Sequence, residues 1–385
     1  MSYVIKTIIF LFLCFSAFLT AGKIIPAAER TSQYLPLLKN KNVALVVNHS
    51  SLVGKTHLLD MLLSHGIKVK TIFAPEHGFR GKADAGAHIK NSTDKKTGLP
   101  IISLYGKHKK PTKNDLQDID LIVFDIQDVG VRFYTYLSTL HYVMEAAAQN
   151  NIPILVLDRP NPNGQYIDGP VLEKKHRSFV GLHPVPLVYG MTIGEYAQMI
   201  NGEKWLKGGR KAKLTVIPLK NYTHQSVYSL PVKPSPNLPN DLAITLYPSL
   251  AFFEGTVISA GRGTDKPFQL YGAPKYKNKK FSFVPKSKAG AKRPKFKGKR
   301  CYGVDLSKTS AKNKRFTLKY LQDAYANTSD KKHFFLKNRF IDALAGNTTL
   351  RKQIIAGLSE KEIRKSWQKD LNTFKKMRKK YLLYP

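Results

Sequence analysis

Residues 121–128 read Leu-Ile-Val-Phe-Asp-Ile-Gln-Asp. Four apolar residues run without interruption and then break into carboxylates. A strand buried on both faces of a parallel sheet has this look where it leaves the sheet, because neither face can alternate with polar residues. Working outward, Val43–Val47, Val69–Phe73, Ile101–Leu104 and Ile152–Leu157 repeat the pattern. Between them His57–Ser64 carries apolar residues at helical spacing, and Tyr136–Gln149 reads as a helix. Apolar strands alternating with helices predict an α/β fold, a doubly wound parallel sheet.

Beyond about Leu219 the texture changes. Pro231, Pro234, Pro236 and Pro239 punctuate a stretch that no regular helix tolerates. Residues 275–300 hold twelve Lys or Arg and no acidic residue; such a run reads as a solvated loop or as a contact for polyanions. Ser359 followed by Glu362, ahead of Ile363 and Trp367, has the pattern of a capping box and predicts a helix start. The expected organisation is an export signal over 1–22, an α/β domain over 23–218, and a smaller mixed domain over 219–385.

The chain has 385 residues, 42% hydrophobic and 23% charged, which excludes a disordered or collagen-like polymer. The 63 Lys and Arg against 26 Asp and Glu give a net charge of +37. Such a surface attracts polyanions, including nucleic acid, anionic lipid and acidic wall polymers. Lys6, the apolar run Ile8–Leu19 and the small residues Ala21 and Gly22 have the form of a cleavable export signal. An exported protein, periplasmic or secreted, is the expectation. Of two cysteines, Cys14 lies in that signal, so Cys301 is left as a single thiol, read as a small buried hydrophobe.

In open α/β sheets, ligands sit outside the carboxyl ends of the strands. There the chain places Asn48, His49 and Ser50, then Pro75-Glu76-His77-Gly78-Phe79-Arg80-Gly81, then Asp125, Gln127, Asp128 and Arg132, and then Asp158, Arg159, Asn161 and Asn163. Four strand ends converging on ionisable groups predict a crevice. Cofactor motifs fail on inspection: Gly54-Lys55-Thr56 lacks the first glycine of a phosphate loop, and Gly261-Arg262-Gly263 lacks the third glycine of a dinucleotide loop. Ser259 lacks the preceding glycine of a nucleophile elbow, since Val257 stands there, and the histidines show no paired metal spacing. No metal and no cofactor are expected, and acid/base chemistry between carboxyl groups remains. Glycoside hydrolysis commonly uses two such groups. Glu76 at a strand end suits the proton donor, and Asp125, Asp128, Glu254 and Asp265 are candidates for its partner.

These residues also carry a resemblance. Phe73 to Gly81, Asp125-Ile-Gln-Asp-Val-Gly-Val-Arg-Phe-Tyr-Thr-Tyr136 and Asp158-Arg-Pro-Asn-Pro-Asn-Gly164 are similar to motifs of the NamZ-type exo-β-N-acetylmuramidases. Pro234-Ser-Pro-Asn-Leu-Pro239, Phe253-Glu-Gly-Thr256, Gly261-Arg-Gly-Thr264, Gly272-Ala-Pro274 and the segment from Trp367 to Tyr384 continue the match over nearly the whole chain. The resemblance implies a Rossmann-like domain plus a C-terminal domain with the active site between them. It implies release of N-acetylmuramic acid from non-reducing ends of peptidoglycan sugars that have lost their stem peptides, with the catalytic glutamate at Glu76. His77 and Asp128 are its expected catalytic companions. For the substrate's lactyl carboxylate the expected ligands are Arg80, Arg132 and Arg262; Asn161, Asn163, Tyr134 and Glu254 are expected to meet the sugar. Asp168, in Asp-Gly-Pro, stands where the family pattern leads one to expect Glu. The expected partners are peptidoglycan fragments, with anionic wall contact through the basic surface and no nucleic acid. The alternative is a non-catalytic binder of anionic wall glycans.

Overall fold

The computed structural model describes residues 22–79, 91–312 and 315–385. The proposed export signal, apart from Gly22, and Arg80 lie outside the described residues.

The first half builds one sheet. Its strands are β1 (Asn42–Val47), β4 (Lys68–Ala74), β5 (Ser92–Thr93), β6 (Pro100–Ser103), β7 (Leu121–Asp125), β8 (Ile154–Leu157) and β9 (Leu214–Ile217), with a small hairpin of β2 (Leu52–Val53) and β3 (Thr56–His57) beside it. The order across the sheet is β5-β6-β4-β1-β7-β8-β9, parallel except for the edge strand β5. Counting the parallel strands alone, this is the 3-2-1-4-5-6 order of a doubly wound nucleotide-binding fold. The five strands read from the sequence agree with β1, β4, β6, β7 and β8 to within a residue or two, while the edge strands β5 and β9 were not read.

Alternation decides which face each residue buries. Val43, Leu45 and Val47 of β1 turn to the side covered by α1 (Thr31–Leu38) and α2 (Leu58–Ser64). Ala44 and Val46 turn to the other side, under α3 (Tyr136–Gln149) and α4 (Ile193–Gly202). This second core does not stop at the sheet. It runs on through α5 (Asp241–Leu250), α6 (Lys319–Ala326), α7 (Phe340–Ala345), α8 (Thr349–Ile355), α9 (Glu360–Lys365) and α10 (Gln368–Arg378). The second half also holds an antiparallel sheet of β10 (Leu270–Ala273), β11 (Ser282–Phe283) and β12 (Cys301–Asp305), in the order β10-β12-β11.

Local chemistry fixes the helix starts. Thr192 and Glu195 form a capping box on α4, and Ser359 and Glu362 form the one read from the sequence on α9. Asn240 caps α5 by accepting the Ala243 N–H. The proline-rich stretch before α5 is irregular, as its prolines require. Cys301 is buried in β12, where burial pushes its thiol up to about 12 and leaves it inert.

Part of the basic run is structural. The Lys295 ammonium donates to the carbonyls of Phe253 and Thr256, each at 2.7 Å, and to Ile258 at 3.3 Å. It thereby fastens the run beneath the turn Ala251–Gly255. Lys288, by contrast, pairs with the exposed carboxylate of Asp265.

The chain then returns to its first half. Tyr384 donates to Oδ2 of Asp158 at 2.6 Å and accepts the N–H of Leu219 at 2.8 Å. Arg378 holds the Gly190 carbonyl, and the Leu383 N–H bonds Glu195 at 2.8 Å.

Candidate active site

The turn after β4 carries the central residue. Pro75 accepts the N–H of Gly78 at 2.9 Å, which closes a tight turn through Glu76 and His77. His77 has φ +69, a left-handed conformation that a side chain other than glycine adopts at a cost. The turn swings Glu76 outward, half-buried, while the His77 ring stays buried. Oε2 of Glu76 accepts the hydroxyl of Thr135 at 2.7 Å, and the Tyr105 phenol lies near enough to feel this carboxyl's charge. Burial and the Glu76 charge together push the Tyr105 phenol up, so it stays a proton-bearing donor.

Glu76 opens onto a cleft of about 510 Å³. One wall comes from the first half: Glu76, His77, Tyr105, Lys109, Tyr134 and Thr135. The other comes from the second half, with Ser235, Tyr247, Glu254, Arg262, Phe268 and Phe340. Tyr134 is fixed at its hydroxyl, which donates to the Pro234 carbonyl at 2.8 Å, and it packs edge-on against Tyr136 and Tyr247. Nε of Arg262 donates to Oε1 of Glu254 at 2.9 Å, and its guanidinium lies 5.0 Å over the Phe268 ring. Burial opposes ionisation of Glu254, but Arg262 and Lys295 outweigh it and hold the carboxyl below its ordinary range.

Five of the sequence-predicted residues therefore meet in this cleft: Glu76, His77, Tyr134, Glu254 and Arg262. Others lie inside the fold. Arg132 is buried, with its guanidinium donating to the carbonyls of Pro170 and Val185 at 2.7 Å and Leu344 at 2.9 Å. Asn161 donates to Met191 and accepts the Asn163 N–H, and Asn163 donates to Val129. Asn161 lies so close to Gly130 (φ +75) that a Cβ there would fall 2.1 Å from Oδ1. These side chains satisfy the backbone of loops that turn back into the protein, which is why they do not face the cleft.

Asp128 is also buried and does not line the cleft. Its Oδ2 accepts from the Tyr189 hydroxyl and from the Gly130 N–H at 2.6 Å, and burial pushes the carboxyl up to about 7. Asp125 forms a buried two-pronged pair with Arg159, at 2.5 and 2.8 Å. Asp265 is solvent-exposed. Asp168 grips Arg364 of α9 with both oxygens at 2.7 Å, a tie between the halves that needs a carboxylate rather than a particular side-chain length.

The sequence reading missed Tyr105, Lys109, Thr135 and Tyr247. Tyr105 and Lys109 follow β6, and inspecting that strand's end as the other four were inspected would have found them.

The N-terminal domain of the exo-β-N-acetylmuramidase NamZ family matches residues 43–242, and its C-terminal domain matches residues 245–384. The peptidoglycan β-N-acetylmuramidase NamZ of Bacillus subtilis is 42% identical over 375 residues, which cover 91% of this chain and 89% of that protein. A crystal structure of a DUF1343 family protein from Bacteroides fragilis superposes with a TM-score of 0.87 at 48% identity, covering 94% of this chain and 99% of the other. A second B. fragilis protein of that family gives a TM-score of 0.81 at 30% identity, with the same coverage.

Proposed function

The chain belongs to the NamZ exo-β-N-acetylmuramidase family, and from that membership and the cleft we propose that it hydrolyses peptidoglycan-derived sugars, releasing N-acetylmuramic acid from their non-reducing ends. The observation that carries the reading is Glu76 in one cleft with Glu254. Glycoside hydrolysis needs a proton on the departing oxygen and negative charge near the developing oxocarbenium ion. Glu76, set by Thr135, donates the proton. Glu254, kept ionised by Arg262 and Lys295, supplies the charge or activates the attacking water. Thr135 holds the Glu76 carboxyl and His77 stands beside it in the same turn, while Tyr134, Tyr247 and Phe268 form apolar surface for a sugar face. The export signal read at 1–22 supports work outside the cytoplasm, periplasmic or secreted, where peptidoglycan fragments arise, and the net charge of +37 supports retention near an anionic wall.

The test incubates purified protein and Glu76→Gln with a β-linked N-acetylmuramic acid disaccharide and its chromogenic aryl glycoside, with the aryl N-acetylglucosaminide as control. Release of N-acetylmuramic acid by the parent alone is the expected result. Equal release by both proteins would remove Glu76 from the donor role, and binding without product would leave a wall-glycan binder.

A further inference from the structure

Two lysines follow β6 side by side and have opposite fates. Lys110 reaches α3, where its ammonium bonds Glu145 at 2.9 Å and Gln149 at 3.2 Å. That anchorage fixes the backbone and leaves Lys109 on the cleft side. Its ammonium sits 5.0 Å above the centroid of Phe179. This ring is itself held, edge-on to Tyr105 at 5.8 Å and stacked on Tyr142 at 6.3 Å. A cation over an aromatic face is weakly anchored and keeps its N–H donors available.

Among the described residues, two other cations near the cleft are engaged. Arg262 is neutralised by Glu254, and Lys295 is surrounded by backbone carbonyls. Among the described residues lining the cleft, Lys109 is the Lys or Arg without a carboxylate partner. It also lies near Glu76: Glu76 and Tyr105 line the same cleft, Tyr105 touches Phe179, and Phe179 carries Lys109.

We propose that Lys109 is the specificity-determining residue for the substrate's free lactyl carboxylate. The assignment rests on the hydrolase reading above. N-acetylmuramic acid differs from N-acetylglucosamine by this lactyl ether, whose carboxylate is free in a bare sugar and becomes a neutral amide when a peptide is attached. An ammonium poised over a ring rewards the free acid with a charge-assisted hydrogen bond and offers the amide much less. One residue thus selects the sugar and requires that the peptide be gone.

The experiment compares wild type, Lys109→Met and Lys109→Arg. Met keeps an apolar side chain of similar length on the Phe179 ring without the charge. Each protein is titrated calorimetrically with N-acetylmuramic acid and with its lactyl amide, and assayed on the aryl glycosides of both. Wild type is expected to prefer the acid by about 10- to 100-fold in affinity and kcat/KM, the range of a hydrogen bond to a charged group. Lys109→Met is expected to bring that ratio close to one, and Lys109→Arg to restore much of it. A Lys109→Met protein that keeps the wild-type preference, or a wild type with no preference, overturns the assignment. A wild type that binds the acid preferentially and cleaves neither glycoside overturns the hydrolase reading while the Lys109 assignment stands.

Discussion

The hydroxyl of Thr135 donates to Oε2 of Glu76 at 2.7 Å, although Thr135 is the N-cap residue just before α3 and makes no side-chain cap to that helix. Threonine at this place usually accepts a backbone N–H of the first turn. Here it serves the turn after β4 instead, so the sheet and the helix jointly set the orientation of one carboxyl group. Thr135→Val is expected to lower kcat/KM on the aryl N-acetylmuraminide by about 10- to 100-fold, the value of a hydrogen bond to a charged group. Glu76→Gln is expected to lower it by about 10²–10⁴, the typical share of a general acid. Steady-state kinetics with thermal melts of each variant check both, and an unchanged Tm separates lost chemistry from lost fold.

Asp128 makes a prediction about pH. Its folded value of about 7 lies above the ordinary 3.8, because burial disfavours its charge. The folded state therefore holds this proton more tightly than the unfolded chain, and stability falls as pH rises from about 4 to about 7. The cost is absent below that window and fully present above it. Asp128→Asn can keep an acceptor for Tyr189 and Gly130 while removing the charge. It is expected to raise Tm at pH 8 and to give no such gain at pH 4, as differential scanning calorimetry at the two pH values would show.

The basic run separates into two kinds of lysine. Lys295→Met leaves the carbonyls of Phe253 and Thr256 without a donor, and the expected loss is about 2–4 kcal/mol in denaturant unfolding. Lys288→Ala breaks only an exposed pair with Asp265 and is expected to leave the unfolding midpoint where it was. Equal effects from the two would mean that the whole run acts as one solvated segment.

Reading the strands from the sequence worked because a parallel strand covered on both faces must be an apolar run, as Ile122 and Val123 of β7 are. Their order was not legible, since β1 and β7 are neighbours through packing and not through proximity in the chain. Glu76 could be found as a polar residue at a strand end. Arg132, Asn161 and Asn163 stand at such places too, yet loops that fold back inward bury them, and nothing in residue type distinguishes a side chain that meets substrate from one that satisfies three carbonyls. The end of β6 would have drawn notice to Tyr105 and to the lysine pair after it, but not to Lys109 over Lys110, which only the position of Glu145 on α3 separates.

Tyr384 offers a stability test away from the cleft. Tyr384→Phe deprives buried Asp158 of a donor and the Leu219 N–H of an acceptor. A loss of about 1–3 kcal/mol is expected by chemical denaturation, with kcat on the aryl glycoside retained at temperatures where the variant is folded.

That same contact spans 226 positions of the chain, and Arg378 and Gly190 are 188 apart. During synthesis the segment around Asp158 emerges long before the residues that complete it. Until the second half arrives, the apolar face that α5 to α10 cover is bare, and until residues 378–385 follow, the far edge of the sheet keeps a buried carboxyl short of a donor. The two stretches matched separately by family resemblance are thus poor candidates for separate expression, because each half is the other's missing interior. A nick between them should release neither as a working fragment, and mixing the two halves should recover the fold only to the extent that they find each other in solution.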